Sequence, residues 1–254
     1  MLKPPASPTY LCDVVVFHKT RLSEKDLILD MVADSGEIIR AVAKSARKPG
    51  NTFSNRLDLF NVAHICVAKT KSIDIIREAV LIEHFDVLRQ DIQLLAAAST
   101  ISEILWRLTF DGEANPVMFD FMRKTFKSIS DFPQLSKTLT IAGSFKLLSL
   151  EGFRPALKFC ADCGNKIKFD SDYLTFSPSC GGVLCHNCKP SEFDFSVSSK
   201  TVQLIDWLIT STYDDILNQG DRIGKRAYEM GKILKKWTQY HVNCPLKSLN
   251  LALH

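Results

Sequence analysis

The strongest constraint on this chain is the stretch from Cys160 to Cys188. Two Cys-x-x-Cys pairs, Cys160-Ala161-Asp162-Cys163 and Cys185-His186-Asn187-Cys188, stand 21 residues apart. Two residues between thiolates let a tight knuckle turn aim both sulfurs at one metal, and this separation is that of a four-thiolate zinc site. Gly164 follows the first pair and Gly181-Gly182 precede the second, where the chain must bend sharply. The competing assignment is two disulfides or four free thiols. A closed set of four thiolates leaves no open position for water or substrate. One structural zinc on Cys160, Cys163, Cys185 and Cys188 is therefore expected to organise the fold and to do no chemistry. Cys180 and His186 lie near these pairs in sequence and rank below them as ligands.

The rest of the chain needs no metal to fold. A length of 254 residues has room for one or two domains plus a small module, and a chain of that size buries a core, so zinc need only organise a local insert. The net charge of +4 is modest, so any nucleic-acid face must come from clustered charge. Cys12, Cys66, Cys180 and Cys244 form no disulfide framework. Met1 to Pro8 lacks the charged and apolar regions of a signal peptide, and no apolar run is long enough to span a membrane. The expected compartment is the reducing cytoplasm.

Residues 1–85 read as a small β domain. Leu11–His18, Leu27–Val32, Glu37–Lys44, Leu59–Lys69 and Ile73–Phe85 are short apolar or alternating runs, with a turn signal at Asp34-Ser35-Gly36. Five such strands suit a small closed barrel such as an OB-fold. Between Arg40 and Lys71 there are seven bases and one acid, Asp58. Ser45-Ala46-Arg47-Lys48-Pro49-Gly50 reads as a basic hairpin between the third and fourth strands. Lysine and arginine clusters bind phosphates largely through counterion release. Arg40, Lys44, Arg47, Lys48 and Arg56 are the candidate phosphate contacts, and Phe53 and Phe60 the candidate stacking faces for single-stranded bases. The alternative is a solvated basic loop beside two core phenylalanines.

Beyond residue 85 the pattern turns helical. Leu88–Phe110 carries Ile92, Leu95, Ile101, Leu105 and Leu108 near helical spacing and ends at Asp111-Gly112. Asn115-Pro116 starts a second helix with Val117, Phe121 and Phe126 as its apolar residues. A third follows Pro133, with Leu135, Leu139, Ala142, Phe145 and Leu148 as its stripe and Gly152 as its stop. After the cysteine module, with a strand at Tyr173–Phe176, one helix is capped at Ser198 or Ser199 and lined by Val202, Ile205, Ile209 and Ile216. The last runs from about Asp221 to Val242 on a seam of Ile223, Ala227, Met230, Leu234, Trp237 and His241. His241 reads as a core histidine, since no second ligand shares its spacing. From Arg222 to Lys247 seven bases face one acid, Glu229. Lys232, Lys235 and Lys236 there are secondary candidates for DNA or an acidic peptide, against a plain solvated helix face. The fold class is α+β: an N-terminal five-stranded OB-fold barrel (1–85), an α-helical domain (86–156 and 193–254) and an inserted four-cysteine zinc finger (157–192).

These pieces together resemble the bacterial recombination mediator family RecO over nearly the whole chain. Ala43-Lys44-Ser45-Ala46-Arg47-Lys48 is similar to the family's basic Lys-Gly-Ala-Arg-Arg hairpin, with Ser45 where the family has Gly. Phe145-Lys146-Leu147-Leu148, Glu151-Gly152-Phe153-Arg154-Pro155, the cysteine frame with Tyr173, Phe176, Pro178 and Gly181-Gly182, and the closing Lys247-Ser248-Leu249 also carry the likeness. The resemblance implies a protein of DNA repair and homologous recombination that binds single- and double-stranded DNA and anneals complementary strands. It also implies that the protein binds RecR and the acidic C-terminal tail of single-stranded DNA-binding protein, and helps load RecA onto coated strands. It implies a cytoplasmic, nucleoid-associated protein with no catalytic residues.

Two enzymatic readings fail on residue content. A nucleobase deaminase needs His-x-Glu with Pro-Cys-x-x-Cys, but Leu184 precedes Cys185 and the chain has no His-x-Glu. A dithiol oxidoreductase needs one Cys-x-x-Cys in a βαβ context rather than two matched pairs. A zinc-stapled scaffold that binds protein without touching DNA is the milder alternative.

Overall fold

The computed structural model describes residues 8–48, 50–108, 114–192, 194–219 and 223–254. The chain divides into two packing units, one of residues 1–91 and 109–130 and the other of residues 92–108 and 131–254.

The first unit is built on five strands: β1 (Thr9–Arg21), β2 (Leu27–Ala33), β3 (Ile38–Ala43), β4 (Val62–Ala68) and β5 (Asp74–Glu83). Their pairings run β1-β2-β3-β5-β4 and return to β1, so the sheet closes on itself. All pairs are antiparallel except β3 with β5, which run parallel at Ala41–Asp74 and Val42–Ile75. Side chains alternate across a strand, and Val14, Val16, Leu29, Met31, Ile65 and Val67 fill the interior. The outer face is not all wet, because Val15, Phe17 and Val32 are also buried. Phe60 is buried as well, its ring 4.8 Å from Phe126 and its amide donating to Val16 O at 2.7 Å.

Phe126 belongs to α4 (Met118–Asp131), so this helix, expected in the helical domain, packs with the barrel instead. Its buried residues are Met118, Met122, Thr125, Phe126 and Ile129, whereas Val117 is exposed, so only Phe126 of the expected stripe is fully buried. Two further contacts hold the segment to this unit. Arg123 pairs with Glu83, and Asn115 N–H donates to Gly36 O at 3.3 Å. A Cβ on Gly36 would lie 2.2 Å from Asn115 O, so glycine is required there. The short helices α1 (Thr52–Arg56) and α2 (Val87–Gln90) complete the unit. The α2 segment breaks at Asp91 from α3 (Ile92–Leu108), which the sequence pattern joined into one helix. The expected stop at Asp111-Gly112 lies outside the described residues.

The second unit centres on α5 (Ser136–Leu150), which is buried nearly all round. Its polar residues are tolerated where hydroxyls bond back along the helix, as Thr140 does to Ser136 O at 2.7 Å. Leu135, Leu139, Ala142, Phe145 and Leu148 are buried as their spacing requires. Gly152 ends the helix at φ +84°, with Phe153 N–H on Leu148 O at 2.7 Å and Gly152 N–H on Ser149 O at 3.3 Å. These are the two bonds of a Schellman stop. Around α5 lie α3, α6 (Ser199–Thr210), α7 (Tyr213–Gln219), α8 (Ala227–His241) and α9 (Leu249–Leu253). Ile216 lies in α7 rather than α6, because the chain turns at Thr212, where the Asp215 carboxylate accepts both the Thr212 amide and hydroxyl. The last helix, expected from about Asp221, begins as α8 only at Ala227, after a tight turn at Gly224–Arg226; its seam residues Ala227, Met230, Leu234 and Trp237 are buried, as is Ile223 ahead of the turn.

Two family-like motifs acquire structural roles. Lys146 bonds Ile209 O at 3.1 Å and also Ser211 O, so its ammonium neutralises the C-terminal end of α6. Ser248 gives its amide, at 3.2 Å, and its hydroxyl, at 2.5 Å, to the Glu103 carboxylate, which pins the start of α9 to α3.

In the first unit Asp58 joins three segments, pairing with Lys19 at 2.5 Å and with Arg89 at 3.2 Å. Burial raises the Asp58 pKa, but the hydrogen bond and charge of Lys19, with the Leu59 amide and Arg89, outweigh it and hold it below 3.8. A carboxylate whose folded pKa is depressed contributes stability that is full above its ordinary value and is lost as pH falls through the folded value. Asp58→Asn is expected to lower urea stability at neutral pH by on the order of 1 kcal/mol, since the pair is partly screened. The gap to wild type should close below about pH 4. Far-UV circular dichroism across that range measures it, and a gap that stays constant would mean the carboxylate charge is not its source.

Candidate metal centre and nucleic-acid interface

The cysteine module sits between α5 and α6 and carries a three-stranded sheet of order β7-β6-β8. Its strands are β6 (Tyr173–Ser177), β7 (Gly182–Leu184) and β8 (Phe195–Ser198). In the first knuckle Cys160 N–H donates to Asn165 O at 2.7 Å and Gly164 N–H to Cys160 O at 3.0 Å. Gly164 takes φ +73°, a conformation glycine enters without penalty. In the second knuckle Cys188 N–H donates to Cys185 O at 3.2 Å. The knuckles are laced together by Ala161 N–H to Val183 O at 2.9 Å and Val183 N–H to Ala156 O at 2.8 Å. A Cβ on Gly182 would lie 2.1 Å from Ala156 O, which explains the glycine before the second pair.

This folding brings the four sulfurs of Cys160, Cys163, Cys185 and Cys188 within 4.8 Å of one another. Three of the separations are 3.7 Å (Cys160–Cys188), 3.6 Å (Cys163–Cys185) and 3.7 Å (Cys185–Cys188). A tetrahedral ion with metal–sulfur bonds of about 2.3 Å requires edges of about 3.8 Å. The sulfurs are thus spaced for a metal and are too far apart for disulfides. The Cys185 amide donates to Cys160 Sγ at 3.3 Å. Burial opposes ionisation of Cys160, but amide hydrogen bonds from Cys163, Cys185 and Asp162 overcome it and bring its pKa to about 6. Hydrogen bonding to Asp162, then burial and the neighbouring thiols, push Cys188 the other way. Cys180 and His186 are exposed and lie outside the quartet, His186 facing Asp170 at 3.8 Å.

The module is tied to the helices through Trp237. Its ring packs edge-on against Phe176 of β6 with centroids 5.7 Å apart, and its indole N–H donates to Phe153 O at 3.0 Å. His241 lies 3.9 Å from Trp237, ring to ring, and burial lowers its pKa. That is the setting of a packed neutral imidazole, as its place on the apolar seam predicts.

The basic residues of the first unit are not equivalent. Arg40 is on β3, in a cross-strand row with Asp30 and His18. Asp30 accepts from His18 Nδ1 at 2.8 Å and pairs with Arg40 at 3.5 Å. Arg56, at the end of α1, donates to Ala79 O at 2.8 Å. Arg47 donates to Ser23 O at 3.0 Å and Glu24 O at 2.9 Å, and its amide to Lys25 O at 3.0 Å. The turn after β3 is thus bound to the β1–β2 loop. Ser45 sits there at φ +58°, its amide on Asp26 Oδ1 at 2.7 Å. Lys44 and Lys48 project from this anchored turn, exposed and without a carboxylate partner among the described residues.

The stacking faces are corrected. Phe60 is fully buried against Phe126, and Phe53 is half-buried against the barrel interior, so neither is presented to a base. Sequence reasoning passed over Lys25 in the β1–β2 loop, whose nearness to Arg47 only the fold reveals. In the second unit Lys232, Lys235 and Lys236 are exposed on α8, with Lys232 over the Tyr228 ring at 4.7 Å and Lys236 over Phe195 at 3.9 Å. Arg222, counted with them in the sequence, lies outside the described residues. Among the described residues no helix is long and apolar enough to cross a membrane.

Arg47 holds the turn, so Arg47→Ala is expected to speed amide hydrogen exchange at Ser45, Arg47 and Lys48 roughly fivefold, the equivalent of about 1 kcal/mol. Unchanged exchange would assign the anchoring to the backbone bonds alone.

Two family descriptions match this chain. The model described as recombination protein O N terminal covers residues 8–85 and that described as recombination protein O C terminal covers residues 89–250. Among similar proteins, the DNA repair protein RecO of Dehalococcoides mccartyi strain CBDB1 is 29% identical over 80% of this chain and 79% of its own length. That of Caldanaerobacter subterraneus subsp. tengcongensis is 26% identical over 95% of this chain and 96% of its own. That of Desulfitobacterium hafniense strain DCB-2 is 31% identical over 71% of this chain and 64% of its own.

Proposed function

Because this chain belongs to the recombination protein O family, we propose that it is a DNA repair and recombination mediator that binds DNA through the first unit and carries one structural zinc in the second. The observation that supports this most is the closed five-strand ring together with the anchored turn that projects Lys44 and Lys48. We read this five-strand ring as an OB-fold, a barrel that binds oligonucleotides on its second and third strands and on the loops β1–β2 and β4–β5. Here those loops carry Lys25, and Lys69 with Lys71, and Arg40 lies on β3. Lys44 and Lys48 are the primary phosphate contacts. Arg40, Arg47 and Arg56 add charge while holding structure. Binding is to the backbone of single or double strands, with release of counterions as its main driving force.

The four thiolates fit zinc by donor type and spacing, and they would hold it as a closed site. Bound zinc supplies charge neutralisation and cross-linking and leaves no coordination position for a reactant. We therefore read the metal as structural, and we propose from the family that the protein is non-catalytic and cytoplasmic. Annealing of complementary strands, binding of RecR and of the single-stranded DNA-binding protein tail, and assistance to RecA loading complete the proposed role.

Two tests follow. Anisotropy of a labelled single-stranded oligonucleotide, titrated at several salt concentrations, should show binding that falls steeply with salt. The double change Lys44→Ala and Lys48→Ala should weaken it and reduce the slope of log affinity against log salt by roughly 1.4, the value for two lost phosphate contacts on a single strand. Absence of binding by the wild type at low salt would leave the zinc-stapled scaffold. For the metal, elemental analysis should find one zinc per chain, and Cys160→Ser, at the buried ligand, should lose more of it than Cys163→Ser, at the exposed one. Zinc loss should also change the near-UV dichroism of Trp237, which packs on the module. A metal-free wild type with the same spectrum would overturn the assignment.

A further inference from the structure

The outward face of α8 combines aromatic rings with unbalanced positive charge. Tyr228, Lys232, Lys235 and Gln239 follow one another at helical spacing, and Lys236 and Tyr240 lie beside them on the same arc. All six are exposed, Tyr228 to 60%, with Lys232 over part of its ring, and Tyr240 to 57%, with His241 packed against its ring. The two tyrosines stand about 18 Å apart along the helix. Lys225 extends the positive run at the N-terminal side.

The one acid on α8 does not offset this charge. Glu229 accepts the Ser198 amide at 3.1 Å, the Thr201 hydroxyl at 2.6 Å and Arg226 at 3.3 Å, so both of its oxygens are engaged by the unit itself. Lys232 and Lys236 are steadied by aromatic rings rather than by carboxylates. A cation held over a ring keeps its full charge and stays open to an anion.

We propose that this face is a second, single-strand-selective nucleic-acid site, in which Tyr228 and Tyr240 stack on unpaired bases while Lys232, Lys235 and Lys236 contact the intervening phosphates. A solvated lysine face needs no exposed tyrosines, and an acidic peptide would satisfy the lysines without requiring a ring at both ends of their run, whereas a single strand carries planar bases on either side of every phosphate. Unpaired bases supply both partners, and duplex bases, stacked on each other, cannot reach the rings. This site rests on the DNA-binding reading above but uses residues of the other unit.

The test uses the full chain with a labelled oligothymidylate and, in parallel, a duplex of equal length. Tyr228→Ala with Tyr240→Ala is expected to weaken oligothymidylate binding at least fivefold, the lower end for loss of one stacked base, and to leave duplex binding unchanged. Tyr228→Phe with Tyr240→Phe keeps the rings and should bind as wild type. Both pairs are exposed, so the thermal midpoint should not move. Oligothymidylate binding that survives the alanine changes would overturn the proposal, as would equal loss on single strand and duplex. Loss of a labelled acidic peptide with the oligonucleotide unaffected would reassign the face to a peptide. If the wild type binds DNA and only the Lys44 and Lys48 changes weaken it, the DNA reading stands and this site falls. If the wild type binds no DNA, both fall.

Discussion

The first unit depends on β1 pairing with two neighbours at once. Residues Thr9–Val15 pair with β4 and residues Val14–Arg21 pair with β2, so the strand must be 13 residues long to close the ring. That is more than twice the usual strand length. Its register shifts between Val16 and His18, a bulge that lets one strand serve both directions. Closure removes every free edge, which a small sheet would otherwise expose to unwanted pairing. It also dictates where the chain leaves the barrel. With β3 able to close only by a parallel pairing to β5, the connection after Ala43 must travel, and its first turn is the one carrying Lys44 and Lys48. Arg47, by bonding the β1–β2 loop, turns that exit into a fixed feature.

The second unit meets a different constraint. The cysteine module has too few apolar residues to hold itself by burial alone, and its two knuckles are loops closed by backbone bonds. Four sulfurs at tetrahedral spacing would, with an ion bound, supply the closure that a core supplies in a larger domain. What the helices contribute is one large anchor. Trp237 contacts Phe176 and gives its N–H to Phe153 O, linking β6, the α5 stop and α8 in one place. The Schellman turn at Gly152 places Phe153 there, and Lys146 and Glu103 fix the ends of neighbouring helices. The short motifs that look like family signatures are thus helix ends and helix starts.

Features that depend on local chemistry were legible in the sequence. The thiolate quartet, the strand positions, the α5 and α8 stripes and the Gly152 stop all follow from spacing. What failed depends on which side of an element is covered. Phe60 and Phe53 look available in a basic stretch, but this barrel is buried on part of its outer face as well as inside, so aromatic content does not reveal exposure. The α4 stripe was misread because Met118, Met122 and Ile129 face the packed side while Val117 is exposed. That helix follows the barrel because Met118, Met122, Phe126 and Ile129 are buried on that side, Phe126 against Phe60, and Arg123 adds an ion pair to Glu83, all contacts remote in sequence. Ser45 shows the converse. At φ +58° it occupies a conformation that glycine enters more readily, so the family's glycine at this position has a geometric reason and the serine a modest cost.

Charge is where composition misleads most. A net charge of +4 suggests a nearly neutral surface. The structure shows that several of the acids offsetting the lysines are turned inward to structural duty. Asp30 is buried between His18 and Arg40, Asp58 is half-buried and paired with Lys19 and Arg89, Glu103 holds Ser248, and Glu229 holds Ser198 and Thr201. A carboxylate paired at short range with a cation, as Asp58 is with Lys19 and Arg89, is largely neutralised locally, while a lysine on a flexible stem keeps its charge in solvent. The Lys44–Lys48 turn and the outer face of α8 are therefore more positive than a residue count implies. On α8 the one acid, Glu229, is required by the fold and the lysines are not.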